Sequence, residues 1–268
     1  MRILPVPGWD RFPGLVAGFC GRTGGVSRGP FAALNLSTRV SDDAVAVHDN
    51  WQRVAATVGG ALRFVTMRQV HGAEIANADG AEITRINDTA GEVGSADALA
   101  GRAPAVALCV LTADCVPLLL VAPRHHVVAA VHAGWRGTLA GIAGRTLQHL
   151  QQVFGVEPDA VHATLGPAIG ACCYEVDATV ADALEGRWGT MPQAIRRVSG
   201  AGVLVAKATV DLRGVNRAQL LAAGMLSEAI AEVGPCTRCA MAEYFSYRGA
   251  ATLGATTTGR QVSFVGWR

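Results

Sequence analysis

At 268 residues, half of them hydrophobic and 16% charged, the chain has ample material for a large buried core. The formal net charge is +2, the single lysine is Lys207 and no Lys/Arg-rich run occurs, so nucleic acid is not an expected partner. The most apolar region, residues 105–123, carries Asp114 and Pro117 in its centre, which argues against a membrane helix; residues 1–14 have no continuous apolar run, so no secretory signal is expected. Seven cysteines, an odd number, then fit reduced thiols in the cytoplasm.

Residues 17–28 are glycine-rich and predict a loop at their end. In 43–58 the apolar positions Val47, Trp51, Val54 and Val58 have helical spacing. A short strand, RFVTMRQV, stops at His71-Gly72. Residues 105–111 predict a buried strand, TADC a turn, and 117–122 and 127–131 two further strands. From Thr138 the period becomes helical, with Leu139, Ile142, Ala143, Thr146, Leu147, Leu150, Val153 and Phe154 on one stripe. HATLGPAIG (162–170) predicts a strand entering a loop. Residues 211–224 predict a second amphipathic helix capped by Gly224. The stretch from Phe245 to Trp267 predicts a tight Arg-Gly turn and a last strand, QVSFVGW. No repeat or low-complexity linker interrupts the chain, so one layered α+β domain over 1–268 is expected.

Three of these strand ends carry a metal-capable side chain: His71, Cys115 and His132. They stand 44 and 17 residues apart, which matches no compact zinc finger, so only the fold can bring them together. Two imidazoles and one thiol suit a catalytic zinc with one open position better than a closed structural site. Asp114 and Asp97 each predict either a functional role, orienting an imidazole or acting as an acid or base, or the shaping of a turn. Gly134 and Gly137 allow close approach to a ligand, and Arg136 with the following helix N-terminus suits an anion such as phosphate. Gln69 is expected to face away from the trio by strand alternation. Cys236 and Cys239 form a CxxC with no second CxxC to complete a ribbon, and they predict a structural pair. Of the adjacent Cys172 and Cys173, one is expected to pack inward. His125-His126 predicts a solvated turn, and Cys109 a buried small hydrophobe.

The motifs QVHG, TADC, HAGWRG and GPAIGACCYEV resemble those of the YfiH-like family, labelled both a polyphenol oxidase "laccase domain" and a purine nucleoside phosphorylase. The resemblance runs from residues 22–37 through DLRGVNRAQL to YFSYRG and TGRQVSFVGW. It implies a single-domain α/β/β/α sandwich with mixed sheets and assigns zinc and catalysis to His71, Cys115 and His132. It also implies small-molecule partners: purine nucleosides and phosphate, with phosphorolysis of adenosine, inosine and S-methyl-5'-thioadenosine and deamination of adenosine. Some members resemble peptidoglycan editing factors. Arg22 and Asn35, in the matched N-terminal stretch, are then expected substrate contacts.

A bound zinc is expected to lower the pKa of a water from about 15.7 toward about 7, activating it for attack at C6 of adenosine. Copper oxidation is not expected, because the seven histidines include no His-x-His pair. Two rival readings remain: a cysteine hydrolase with Cys115 as nucleophile, His132 as base and Asp114 or Asp97 as orienting acid, and a non-catalytic protein with structural zinc. Oligomeric state is not legible.

Overall fold

A computed structural model describes residues 1–59, 62–191, 193–197 and 207–268. In chain order its elements are β1 (Ile3–Leu4), β2 (Leu15–Cys20), α1 (Ala44–Val58), β3 (Arg63–Arg68), β4 (Ile75–Asn77), β5 (Thr84–Arg85), β6 (Ala90–Ser95), β7 (Ala98–Gly101), β8 (Val106–Thr112), β9 (Val116–Ala122) and β10 (Val127–Ala133). There follow α2 (Trp135–Leu139), α3 (Ile142–Phe154), β11 (His162–Leu165), β12 (Glu175–Asp177), α4 (Ala178–Trp188), β13 (Ile195–Arg197), β14 (Lys207–Val210), α5 (Leu212–Ala222), β15 (Ile230–Glu232), α6 (Tyr247–Thr252) and β16 (Gln261–Trp267).

The first sheet has the order β1-β2-β16-β8-β3-β6-β5 and the second β15-β11-β9-β10-β7-β4; both mix parallel and antiparallel pairs. A small third sheet has the order β12-β14-β13. Strand alternation distributes the core. Leu108 and Val110 of β8 meet Leu119 and Val121 of β9 between the two large sheets. Their neighbours Ala107 and Cys109 face α1, with Val47, Trp51 and Val54. Leu118 and Leu120 face the other way, onto Ile142, Leu147 and Leu150 of α3 and Leu220 of α5. The layers are therefore α/β/β/α, the sandwich that the resemblance implies. Both large sheets are covered on both faces, which is why β9 and β10 read as unbroken apolar runs.

Most strands and helices fall where the periodicity places them. Asp43 caps α1 by accepting from Val45 N, and Asp211 caps α5 by accepting from Arg213 N. Gly224 has φ +98, as a C-terminal glycine should. Two expectations change. The helix foreseen from Thr138 is two helices, broken at Gly141 with φ +84, where a Cβ would lie 2.9 Å from Trp188. The Arg-Gly turn is the short helix α6, capped by Ser246, whose hydroxyl accepts from Gly249 N. Among the described residues no helix is long and apolar enough to cross a membrane.

Candidate active site

The parallel neighbours β3 and β8 end side by side, so Gln69–His71 emerge next to Thr112–Cys115. The chain then reverses into β9, which leaves the first sheet for the second. There β9 pairs antiparallel with β10, with Ala133 opposite Val116 and His132 opposite Pro117. Cys115 immediately precedes β9 and His132 nearly ends β10, so the pairing makes them neighbours. The ligand atoms of His71, Cys115 and His132 all lie within 4.8 Å of one another. The two imidazole rings stand nearly perpendicular, 4.8 Å between centroids. His132 is buried, whereas His71 opens to solvent. A Cβ at Gly134 would crowd them, 3.1 Å from His71 Cδ2 and 3.2 Å from the Cys115 sulfur.

Asp97 builds this centre. Fully buried, its Oδ1 lies 2.8 Å from His132 Nδ1, and its carboxylate accepts from the backbone N–H groups of Val70, His71 and Gly72 at 3.2, 2.9 and 2.6 Å. One side chain thereby orients one imidazole and fixes the loop that carries the other, including His71 at φ +61. Burial raises the Asp97 pKa, but the bond to His132 and the backbone donors outweigh it, and the net shift is downward. Burial also opposes charge on Cys115 and His132. The adjacent imidazoles nevertheless bring the Cys115 thiol down to about 6, and Cys115 and Asp97 bring His132 up to about 9. Both shifts run in the direction that favours a thiolate beside an imidazolium.

Asp114 takes neither imidazole. At φ +96, its carboxylate accepts from Thr237 Oγ1 at 2.6 Å and from Arg248 N at 2.7 Å, tying two distant segments to the β8–β9 turn.

The trio lies in a cavity of about 530 Å³, within the usual range of about 300–1,000 Å³ for small-molecule sites. Trp135, Tyr174, Tyr247 and Ile169 give it aromatic and apolar walls, and Arg39, Arg248 and Arg260 supply cationic groups. Thr66 and Thr112, both buried, also line it, and their hydroxyls have no partner among the described residues. Gln69 lines it too, which corrects the expectation that it faces away: positions 69 and 71 are two apart, and residues so spaced share one face of a strand. β3 stops at Arg68, with a register shift after Met67, and the Gln69 amide pairs with Leu111 N and O at 2.8 Å each. Its side chain continues the β3–β8 ladder where the backbone leaves it.

The remaining expected contacts are placed elsewhere. Arg22 donates to the carbonyls of Ala32 and Met241 and stacks on Phe245, 4.6 Å from the ring centroid, so it is a scaffold residue. Asn35 is buried; it donates to Asp42 and accepts from Ser37 N and Arg260 N, bracing the cavity wall. Arg136 is exposed and stacked on Trp135 in the five-residue helix α2, and it is not among the residues that line the cavity. The lining arginines Arg39, Arg248 and Arg260 were not singled out from the sequence. Arg248 and Arg260 have only a weak signal there, in YFSYRG and TGRQVSFVGW.

The donor set fits one zinc: two imidazoles, a thiolate, a carboxylate on the second nitrogen of a ligating histidine, and a cavity beside the group. It does not fit a multinuclear copper cluster. Of the other histidines, His48 pairs with Gln52, His149 with Asn77, His162 packs near Phe12, and His125 and His126 form an exposed turn.

Fold and site together define a mixed-sheet α/β/β/α protein with one His₂Cys centre opening into an aromatic-walled cavity. The chain belongs to the family described as multi-copper polyphenol oxidoreductase laccase, whose model it matches over residues 16–268. It is 38% identical to purine nucleoside phosphorylase YlmD of Geobacillus stearothermophilus, over 97% of this chain and 95% of that protein. The crystal structure of YlmD superposes with TM-score 0.84, covering 100% of this chain and 97% of that one at 36% identity. Adenosine deaminase RL5, from an unknown prokaryotic organism, is 34% identical over 82% of this chain and 83% of its own. The crystal structure of Bacillus licheniformis YfiH gives TM-score 0.86 at 30% identity, covering 99% and 96%.

Proposed function

We propose that the chain is a zinc-dependent purine nucleoside enzyme that cleaves adenosine, inosine and S-methyl-5'-thioadenosine with phosphate and deaminates adenosine. The observation that carries this reading is the His71–Cys115–His132 group in an aromatic-walled cavity whose buried hydroxyls, on Thr66 and Thr112, lack partners among the described residues. The names of YlmD and RL5 support the two reactions. Zinc on the trio supplies a Lewis acid that activates a water or polarises a substrate atom.

The chain's own residues do the rest. Trp135, Tyr174 and Tyr247 offer faces for a purine, and Thr66 and Thr112 offer hydrogen bonds to its polar edge or to ribose. Asp97 holds His132 in the tautomer that keeps Nε2 toward Cys115. In deamination, water adds at C6 and ammonia leaves. In phosphorolysis a phosphate oxygen bonds C1' as the glycosidic bond breaks. Only the second reaction needs an anion pocket, and Arg248 and Arg260 line the cavity where it would be received.

Metal analysis with a nucleoside panel, run with and without phosphate, tests the proposal. We expect zinc in the protein, phosphate-dependent release of free base, and ammonia from adenosine. His71→Ala, Cys115→Ala and His132→Ala should each abolish zinc at this centre and turnover; full activity in any of them defeats the assignment.

A second reading rests on the low Cys115 pKa, the raised His132 and the Asp97 bond, which also describe a cysteine hydrolase. Activity that survives chelation but not alkylation of Cys115 favours it; activity lost on chelation and restored by zinc rules it out.

A further inference from the structure

The two cysteine pairs that look separate in the sequence converge in the fold. The sulfurs of Cys172, Cys173, Cys236 and Cys239 all lie within 4.8 Å of one another, away from the His71–Cys115–His132 group. We propose that they form a second metal site, a closed four-thiolate zinc centre that anchors one wall of the active-site cavity.

The spacing fits one ion. Cys239 lies 3.7 Å from Cys172 and 3.5 Å from Cys173, sulfur to sulfur. A tetrahedron with zinc–sulfur bonds of about 2.3 Å has sulfur–sulfur edges of about 3.8 Å. None of the four is in a disulfide. An iron–sulfur cluster places several irons and sulfides between its thiolates and needs them farther apart. Thiols are weak hydrogen-bonding groups, so four clustered without an ion gain little from one another. Four sulfurs within 4.8 Å of one another, two pairs of them near the tetrahedral edge length, select zinc or iron among the common metals, and a single closed four-thiolate site favours zinc.

The backbone is shaped for this. Residues 170–174 form a tight turn in which Cys173 N and Tyr174 N both donate to Gly170 O at 2.9 Å. The facing turn closes with Ala240 N donating to Cys236 O at 3.0 Å. The turns are joined where Gly170 N donates to the Cys236 sulfur at 3.3 Å and Thr237 N donates to Ala168 O at 3.0 Å. N–H groups aimed at sulfur stabilise the thiolate form that a metal requires.

What the site would hold in place is visible next door. Tyr174 follows Cys173 directly and lines the cavity. Thr237, between Cys236 and Cys239, donates to Asp114, which precedes Cys115. The ion would fix both, so this site positions the cavity wall and takes no part in chemistry.

The test separates the two centres. In a His71→Ala/Cys115→Ala/His132→Ala background, any remaining metal belongs to the four cysteines. We expect one zinc per chain by elemental analysis, and after cobalt exchange an intense thiolate-to-cobalt charge-transfer band. Adding Cys236→Ser and Cys239→Ser should remove both signals. Conversely, the double Ser change in the wild-type chain should leave the zinc of the first centre. Should the Ser variants fail to fold, the triple-Ala protein decides alone. If it is metal-free with all four thiols reacting at once, contains a disulfide among them, or carries iron, the proposal is overturned.

Discussion

At the residue scale the centre depends on one carboxylate that makes four hydrogen bonds. Asp97→Asn keeps the shape but puts an amide where Val70, His71, Gly72 and His132 all present donors. At least one buried donor loses its acceptor. Outer partners of ligating histidines typically carry about 10–100-fold in metal affinity or activity. We expect a loss of that size in zinc affinity, measured by chelator competition; unchanged affinity would show that Asp97 serves only the loop. Arg260 makes a different prediction. It lines the cavity, its Nη1 is held by the carbonyls of Thr258 and Gly259, and burial lowers its pKa. Arg260→Gln should slow phosphorolysis about tenfold to a hundredfold, the cost of a charge-assisted contact of about 1.5–3 kcal/mol, with a smaller effect on deamination. Equal losses in both reactions would assign Arg260 to the nucleoside.

The same scale shows how much of the site was legible. His71, Cys115, His132 and Asp97 announced themselves because each sits at the edge of an apolar strand, where a polar residue is conspicuous. Gln69 carries the wrong expected direction in the sequence, and Arg248 and Tyr174 lie inside quoted motifs with nothing to mark them as cavity residues. Gln69 pairs with Leu111 across 42 positions, and Asp114 meets Arg248 across 134. Such contacts leave no local pattern. Cys172–Cys173 and Cys236–Cys239 were seen as pairs but not as a foursome for the same reason.

At the element scale, the short helix α2 carries the His132 strand into the helical layer, and its packing is unusually close. A Cβ at Gly137 would lie 2.6 Å from the Gly72 carbonyl, in the loop that bears His71. Backbone cannot yield as a flexible side chain does, so Gly137→Ala should destabilise by about 1–3 kcal/mol, the usual cost of overpacking, and displace His71. Urea titration and zinc content read the two effects together. On its other side α2 is held by α5: Asn216 donates to Thr138 Oγ1 at 2.8 Å and Gln219 donates to Thr138 O at 2.6 Å, all three residues buried. The break between α2 and α3 was invisible in the sequence because the apolar period continues through it. Only the positive φ of Gly141, where a Cβ would also crowd Trp188, marks the division. By contrast β8, β9, β10 and β16 were legible, since strands buried on both faces appear as short apolar runs.

At the scale of the whole molecule the sequence conveyed layers but not strand order. Nothing in QVSFVGW says that β16 lies between β2 and β8, more than a hundred residues earlier in the chain. That insertion matters for the site. β8 delivers Thr112 and the Cys115 turn to the cavity, and β16 is its full-length partner, pairing from Gln261 opposite Thr112 to Trp267 opposite Val106. Val265 of this strand is fully buried between the two sheets, with Leu108 and Leu119 in the same cluster. Val265→Ala removes two methyl-sized groups from a close-packed interior, at about 0.8 kcal/mol each plus a cavity term, or about 2–3 kcal/mol. For a chain of this size each kcal/mol lowers Tm by roughly 2–4 °C, so a fall of about 4–12 °C is expected. Because β16 pairs along the whole of β8, which carries Leu111 and Thr112 to the cavity, secondary structure and the metal centre should be lost at the same temperature in the variant and in the wild type. Circular dichroism and cobalt absorption followed in one thermal scan give that comparison. A metal signal that disappears well below the main transition would mean that the cavity loops open independently, and that the inter-sheet core does not set the stability of the site.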